Sequence, residues 1–340
     1  MNFTAIPIVA IAISVVISWA LFAILCSIVH EAFAQIKAER GRFMKEYLSR
    51  QLKDNSNGVN WASMLYLHGS VDLLSRAANK PTSEIPSRVF AETLIEVVGS
   101  AHVVQSKAEE VMTNINYKHP SLRNFKAATM VLLPSDVVGF LKQVLNSAEM
   151  ATSSDILTNS NSSINESQIY ATLVQNIETW YDGLMGRLSL WYQKKTKMRL
   201  FLLGVLIAIL INVDSIQLFN HFNNDPNARA AVINYYEKNV STLTSYEDKL
   251  KANQGKDSVT NTLLLVSRQI NEYTGKLDSL RKTANLPIGF EYNIFHPKSR
   301  SNSFRSILFK ILGLLISGLA ASFGAPFWFD VLKKAYSTKK

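Results

Sequence analysis

Side chains able to do covalent or metal chemistry are few in this chain, and their spacing does not assemble a site. Six histidines, His30, His68, His102, His119, His221 and His296, are never at the separations that bring two imidazoles to one metal on a helix face. Neither phosphate-cradling pattern, G-x-G-x-x-G or G-x-x-x-x-G-K-[ST], occurs, and neither do H-E-x-x-H or G-x-S-x-G. One cysteine, Cys26, leaves no intramolecular disulfide and no thiolate zinc cluster. The expectation is a protein that is not an enzyme and carries no cofactor or metal. Polar chemistry of another kind is offered by Asn212, Asp214 and Gln217, which follow directly on the apolar run LFLLGVLIAILI. A carboxylate at the centre of a bilayer costs about 2.5 to 3.5 kcal/mol on insertion scales, so Asp214 is either a member of an ion or proton pathway or an interfacial residue. The interfacial reading escapes most of that cost and is the one adopted, with Asn212, Asp214 and Gln217 kept as the pathway-lining alternative.

The elements that must position these residues are apolar. Charged residues make up 18% of the chain, against roughly 25% in soluble domains, and the deficit lies in three runs. Ile6 to Val29 has no charge over a length sufficient for a bilayer, which takes about 20 residues. It lacks the basic leader of a signal peptide and is read as a retained helix. Five Lys or Arg follow in HEAFAQIKAERGRFMKEYLSR and none precede, which places the N-terminus outside and the basic flank in the cytosol. The second run, Leu200 to Ile211, is short. It is preceded by Trp180, Tyr181, Trp191 and Tyr192, whose WY pairs recur almost three helical turns apart and so share a face, and by the basic cluster QKKTKMR. Those four aromatics are read as interfacial anchors. The third run, Ser306 to Phe329, carries Lys310 near one end, where it is expected to snorkel to the headgroups. Its Gly313, Ser317, Ala321 and Ala325 recur every fourth residue, a stripe expected to serve helix packing or oligomerisation. Phe327, Trp328 and Phe329 close the run as a second aromatic anchor before a basic cytosolic tail.

Outside these runs the chain reads as helical. EIPSRVFAETLIEVV presents Phe90, Leu94 and Val97 on one face, and LPSDVVGFLKQVL does the same with Val138, Leu141 and Leu145. Ala151 to Ser167 is rich in Ser and Asn and reads as a flexible connection. Asp225 and Pro226 open a helix carrying Tyr236, Val240, Leu243 and Leu250. A second helix, opened by Asp257 or Ser258 after a turn at Gly255, carries Leu263, Val266, Ile270, Tyr273, Leu277, Leu280 and Ala284 in heptad rhythm, with Pro287 and Gly289 ending it. The expected fold is an all-α integral membrane protein with three transmembrane helices, at residues 1–29, 199–219 and 305–331. A cytosolic helical domain occupies 30–198 with its loop near 151–167, an extracytoplasmic antiparallel helical hairpin occupies 220–304, and a basic tail occupies 332–340.

The net charge of +10 does not point to nucleic acid. It is spread as 19 basic against 16 acidic residues in 30–199, 12 against 9 in 200–305 and 5 against 1 in 306–340, and much of it flanks apolar runs. Together IPSRVFA, WYDGLMGR followed by WYQKK, NVDS after an apolar run, and SFGAPFWFD resemble the landmarks of an uncharacterised family of bacterial three-span membrane proteins. That resemblance implies a bacterial cytoplasmic (inner) membrane location and carries over no catalytic or binding residue. The resulting expectation is a non-enzymatic membrane anchor or scaffold subunit. Its partners would be membrane lipids, further copies of itself and proteins met by the cytosolic domain or the hairpin, with no nucleic acid. The alternatives are an ion channel or membrane-permeabilising defence-type effector lined by the second span, and a transmembrane sensor.

Overall fold

The computed structural model describes residues 6–75, 80–112, 114–158, 166–253, 262–289 and 304–337, and is almost wholly helical. The chain divides into two compact units, Lys37–Tyr192 and the combination of Met1–Ile36 with Gln193–Lys340.

In the Lys37–Tyr192 unit, α2 (Glu39–Gln51) leads through a two-stranded hairpin, β1 (Lys53–Asp54) with β2 (Val59–Asn60), into α3 (Trp61–Leu67) and the short α4 (Gly69–Asp72). Next come α5 (Ser87–Ser100), α6 (His102–Met112), α7 (Pro120–Val131), α8 (Asp136–Thr158) and the first part of α9 (Glu166–Ile211). The apolar faces written into α5 and α8 point inward: Phe90, Leu94, Val97, Val138, Leu141 and Leu145 are all buried. They meet Trp61, Phe125, Leu173 and Ile177 in one core, where a large apolar side chain contributes about 1.5 to 3 kcal/mol by leaving water. Gly41 is required where α2 approaches the 81–82 backbone, because a Cβ there would overlap the Pro81 carbonyl oxygen. The start of α9 is held by Glu166, whose carboxylate accepts from the Lys118 and His119 amides. Those amides hold the Glu166 carboxyl below its ordinary value. The Ser- and Asn-rich stretch expected as a flexible connection is helical to Thr158 as the end of α8 and again from Glu166 as the start of α9, and residues 159–165 lie outside the described residues.

In the other unit α1 (Pro7–Ile36) is the central element. Around it pack α10 (Ser215–Asn224), α11 (Pro226–Asn253), α12 (Thr262–Thr283), α13 (Phe304–Phe323) and α14 (Ala325–Ser337). A helix apolar on all sides must be covered on all sides, and α1 has Ile17, Ala23, Ile24 and Cys26 fully buried by its neighbours. α1 and α13 are each long and apolar enough to cross a membrane, and α9 with α10 adds a third span if the bent pair is counted as one. Two to three such helices fit a multi-pass membrane protein.

α11 and α12 touch each other and also lie along α1. Both helices pack on α1: Tyr273 is fully buried and donates its hydroxyl to the Leu21 carbonyl at 2.8 Å, and Val232, Ile233, Tyr236 and Leu243 are buried in the same cluster. Ala284 and Leu280 of the heptad series are buried too, while Val240 stays exposed. Gly255, Asp257 and Ser258 lie outside the described residues, as do the side chains of Leu250, Leu263 and Val266.

Candidate functional site

The polar residues of the second apolar run come together at a break between α9 and α10. Asn212 adopts the left-handed conformation with φ +54°, which stops α9, and α10 leaves at 58° to it. A break inside an apolar unit strands amide and carbonyl groups that water would otherwise satisfy, and each needs a partner. Asp214 is the N-cap of α10: its Oδ1 accepts from the Ile216 amide at 2.9 Å and the Gln217 amide at 3.2 Å. The Val213 carbonyl accepts from the Ser317 hydroxyl at 2.8 Å. With that proton committed, the Ser215 hydroxyl donates to Ser317 Oγ at 2.7 Å, and Trp19 Nε1 donates to Ser215 Oγ at 3.0 Å. Asn212 spends its own amide on the Gly289 carbonyl at 2.7 Å.

The second carboxylate oxygen of Asp214 meets Lys310, whose Nζ lies 3.3 Å from Oδ2 and 3.4 Å from Gln217 Oε1. Both charged side chains are almost entirely enclosed, at 5% exposure for Asp214 and 7% for Lys310. Lys310 therefore does not snorkel to a headgroup, because a buried carboxylate within reach offers better compensation than a stretch outward. Asp214 is neither an exposed interfacial residue nor a lining group open to water. It is a capped and charge-paired carboxylate inside the helical unit.

Close approach of α13 makes this pairing accessible, and the small-residue stripe supplies it. A Cβ at Gly313 would overlap the Asp214 carboxylate. Ser317 bonds the broken backbone, and a Cβ on Gly204 would come within 2.7 Å of the Ala321 methyl. Gly318 lies against Val205, and Ala325 is fully buried. Gly313, Ser317 and Ala321 are thus occupied by α9 and the break within this chain, leaving no free stripe for a second copy.

The expected aromatic anchors separate into two groups. Tyr181 is buried in the core of the Lys37–Tyr192 unit, stacked on Phe90 at 4.1 Å and donating to the Ile85 carbonyl; burial raises its hydroxyl pKa well above the ordinary value. Trp180 packs on Phe140 at 4.6 Å. Tyr181 is enclosed by this packing, while Trp180 is half-buried. Trp191 is exposed beside Tyr47, and Tyr192 carries the Arg40 guanidinium over its ring. Near the C-terminus, Gly324 at φ +78° ends α13, and α14 places Trp328 and Phe329 inward. Trp328 donates to the Ala320 carbonyl and packs on Trp19 at 5.0 Å, while Phe329 stacks on Tyr236. Phe327 alone of the three keeps an exposed ring.

Chemically the break stabilises a bend and one ion pair. Sequence reasoning does not bring Trp19, Ser215 and Lys310 to this break; its one pointer is a lone charge in or beside each of two apolar runs, Lys310 and Asp214, which marks both residues without pairing them. Among the described residues no three His, Cys, Asp or Glu side chains converge on a common point. Comparisons with protein-family models, with curated proteins and with solved structures find no significant match.

Proposed function

We propose that the chain is a non-enzymatic anchor or scaffold subunit of a bacterial cytoplasmic membrane assembly, crossing the bilayer three times and presenting the helical Lys37–Tyr192 unit to cytosolic partners. The observation that carries this reading is the exposed apolar surface shared by α9 and α13. Leu202, Leu206 and Ile209 of α9 and Ile311, Leu315 and Leu319 of α13 are all exposed on helices held together by Gly204, Gly318 and Ala321. Such a surface needs lipid or another protein to cover it. Self-association, where it occurs, uses these outer faces, since the small-residue stripe is filled from within. The conducting alternative gains nothing from the geometry, because Asp214 and Asn212 are buried and bonded in the chain.

Two measurements test the reading. The protein should remain in the membrane fraction after alkaline carbonate extraction, and purified protein in liposomes should pass no ion or dye. Release into the carbonate supernatant, or a flux abolished by Asp214→Ala, would overturn it.

A further inference from the structure

A cavity of about 390 Å³ lies between α1, the end of α9, α10 and α12, with Leu21, Leu25, Leu210, Val213, Leu277 and Leu280 among its walls. This size is within the range of small-molecule sites, which are mostly apolar with a few placed polar groups. The hydroxyls at its surface are already committed: Ser18 donates to the Ser14 carbonyl, and Thr274 to the Ile270 carbonyl. What polarity remains is gathered at Arg281 and Asp278. Arg281 donates Nη1 to the Ile288 carbonyl and approaches Asp278 at 3.2 Å, while Lys282 holds the other oxygen of Asp278 at 2.8 Å. Lys282 and Arg281 hold the Asp278 carboxyl below its ordinary value, so the cluster stays ionised with two positive charges against one negative. The Arg281 guanidinium has more donors than these contacts use. Leu210 lines the cavity and is also exposed on the apolar face of α9, so the cavity is continuous with the surface that lipid would cover.

We infer that this cavity takes the acyl chain of an anionic membrane lipid, with Arg281 and Lys282 receiving the acidic headgroup. Apolar walls select a hydrocarbon chain, the excess positive charge selects an anionic head, and continuity with the α9 face selects the bilayer as the source. The inference rests on the membrane reading above.

The test reconstitutes the full chain in phosphatidylcholine vesicles containing a phosphatidylglycerol probe with a photoactivatable diazirine in its acyl chain, and in parallel a phosphatidylcholine carrying the same chain. The anionic probe should label the peptides of Leu21 to Leu25 and Leu277 to Leu280 as well as the outer faces of α9 and α13. Leu277→Trp should abolish cavity labelling and leave the outer faces labelled. Arg281→Gln, a change at the polar edge of the cavity that leaves its apolar leucine walls in place, should lower the preference for the anionic probe about tenfold, the equivalent of roughly 1.4 kcal/mol. Label confined to the outer faces with either probe would overturn the site while sustaining the membrane reading. Absence of label from the outer faces as well would overturn both. Equal cavity labelling by the two probes, unchanged in Arg281→Gln, would overturn the headgroup assignment.

Discussion

A carboxylate and an ammonium enclosed together lose water on both sides, and only their contact and the surrounding donors make the arrangement tolerable. Asp214 and Lys310 therefore act as a pair, and a single substitution should hurt far more than a double one. Lys310→Met leaves the buried Asp214 carboxyl without its cationic partner, with an expected loss of about 3 to 5 kcal/mol. Asp214→Asn keeps a competent N-cap for α10 yet strands Lys310, so its loss should have a similar origin. The combination of Asp214→Asn with Lys310→Met should recover most of the stability of the natural protein. Thermal unfolding of the three variants in mild detergent tests this, and additive losses in the double variant would show that the two residues do not depend on one another. The partnership was not readable from sequence, although both charges were conspicuous. Positions 214 and 310 meet only because α13 passes the break in α9, and nothing local to either run encodes that passage.

At the scale of elements, close helix approach is set by what is missing from a side chain. Gly318 lies so near Val205 that a larger residue would force α13 away from α9, and with it Lys310 from Asp214 and Ser317 from the Val213 carbonyl. Gly318→Leu should destabilise by at least about 1 to 3 kcal/mol, the usual range for overpacking, whereas Leu319→Ala on the exposed face should stay within about 0.5 kcal/mol. Equal effects of the two substitutions on detergent-solubilised unfolding would refute close packing at Gly318. Sequence periodicity exposed the stripe and the apolar faces of α5 and α8, because each is a property of one helix. It could not name every neighbour of α11 and α12 for the same reason: a heptad face says that something must cover it, and besides the contact between the two helices α1 does so through contacts such as Tyr273 to Leu21. The WY pairs of α9 show the same ambiguity, since an aromatic stripe suits a headgroup layer and a helical core equally well. Phe90 and Phe140, which occupy Trp180 and Tyr181, come from helices far away in sequence.

For the whole molecule, the two apolar helices, or three with the bent α9 and α10 pair, are to be compared with a bilayer whose hydrocarbon core is about 30 Å thick. With 30 residues, α1 reaches about 45 Å, which is long enough to cross that core and still receive α11 and α12 along part of its length. The apolar end of α9 is shorter than a full span, and its bend into α10 answers that shortfall by tying the break to α13. On the three-span reading proposed above, charge sets the orientation to expect: Arg40, Arg42 and Lys45 come after α1, and Lys194, Lys195 and Lys197 precede the apolar part of α9, so the Lys37–Tyr192 unit would face the cytosol and α11 the outside. Exposed positions on each side give the test. Ser241→Cys on α11 should react with an impermeant maleimide in intact spheroplasts, Ser70→Cys on α4 should react only after lysis, and the native Cys26, enclosed in α1, should stay unlabelled under both conditions. The reverse pattern would invert the orientation. Labelling of both introduced cysteines before lysis would mean that the helices between them do not carry the chain across the membrane, and the anchor reading would fall with that result.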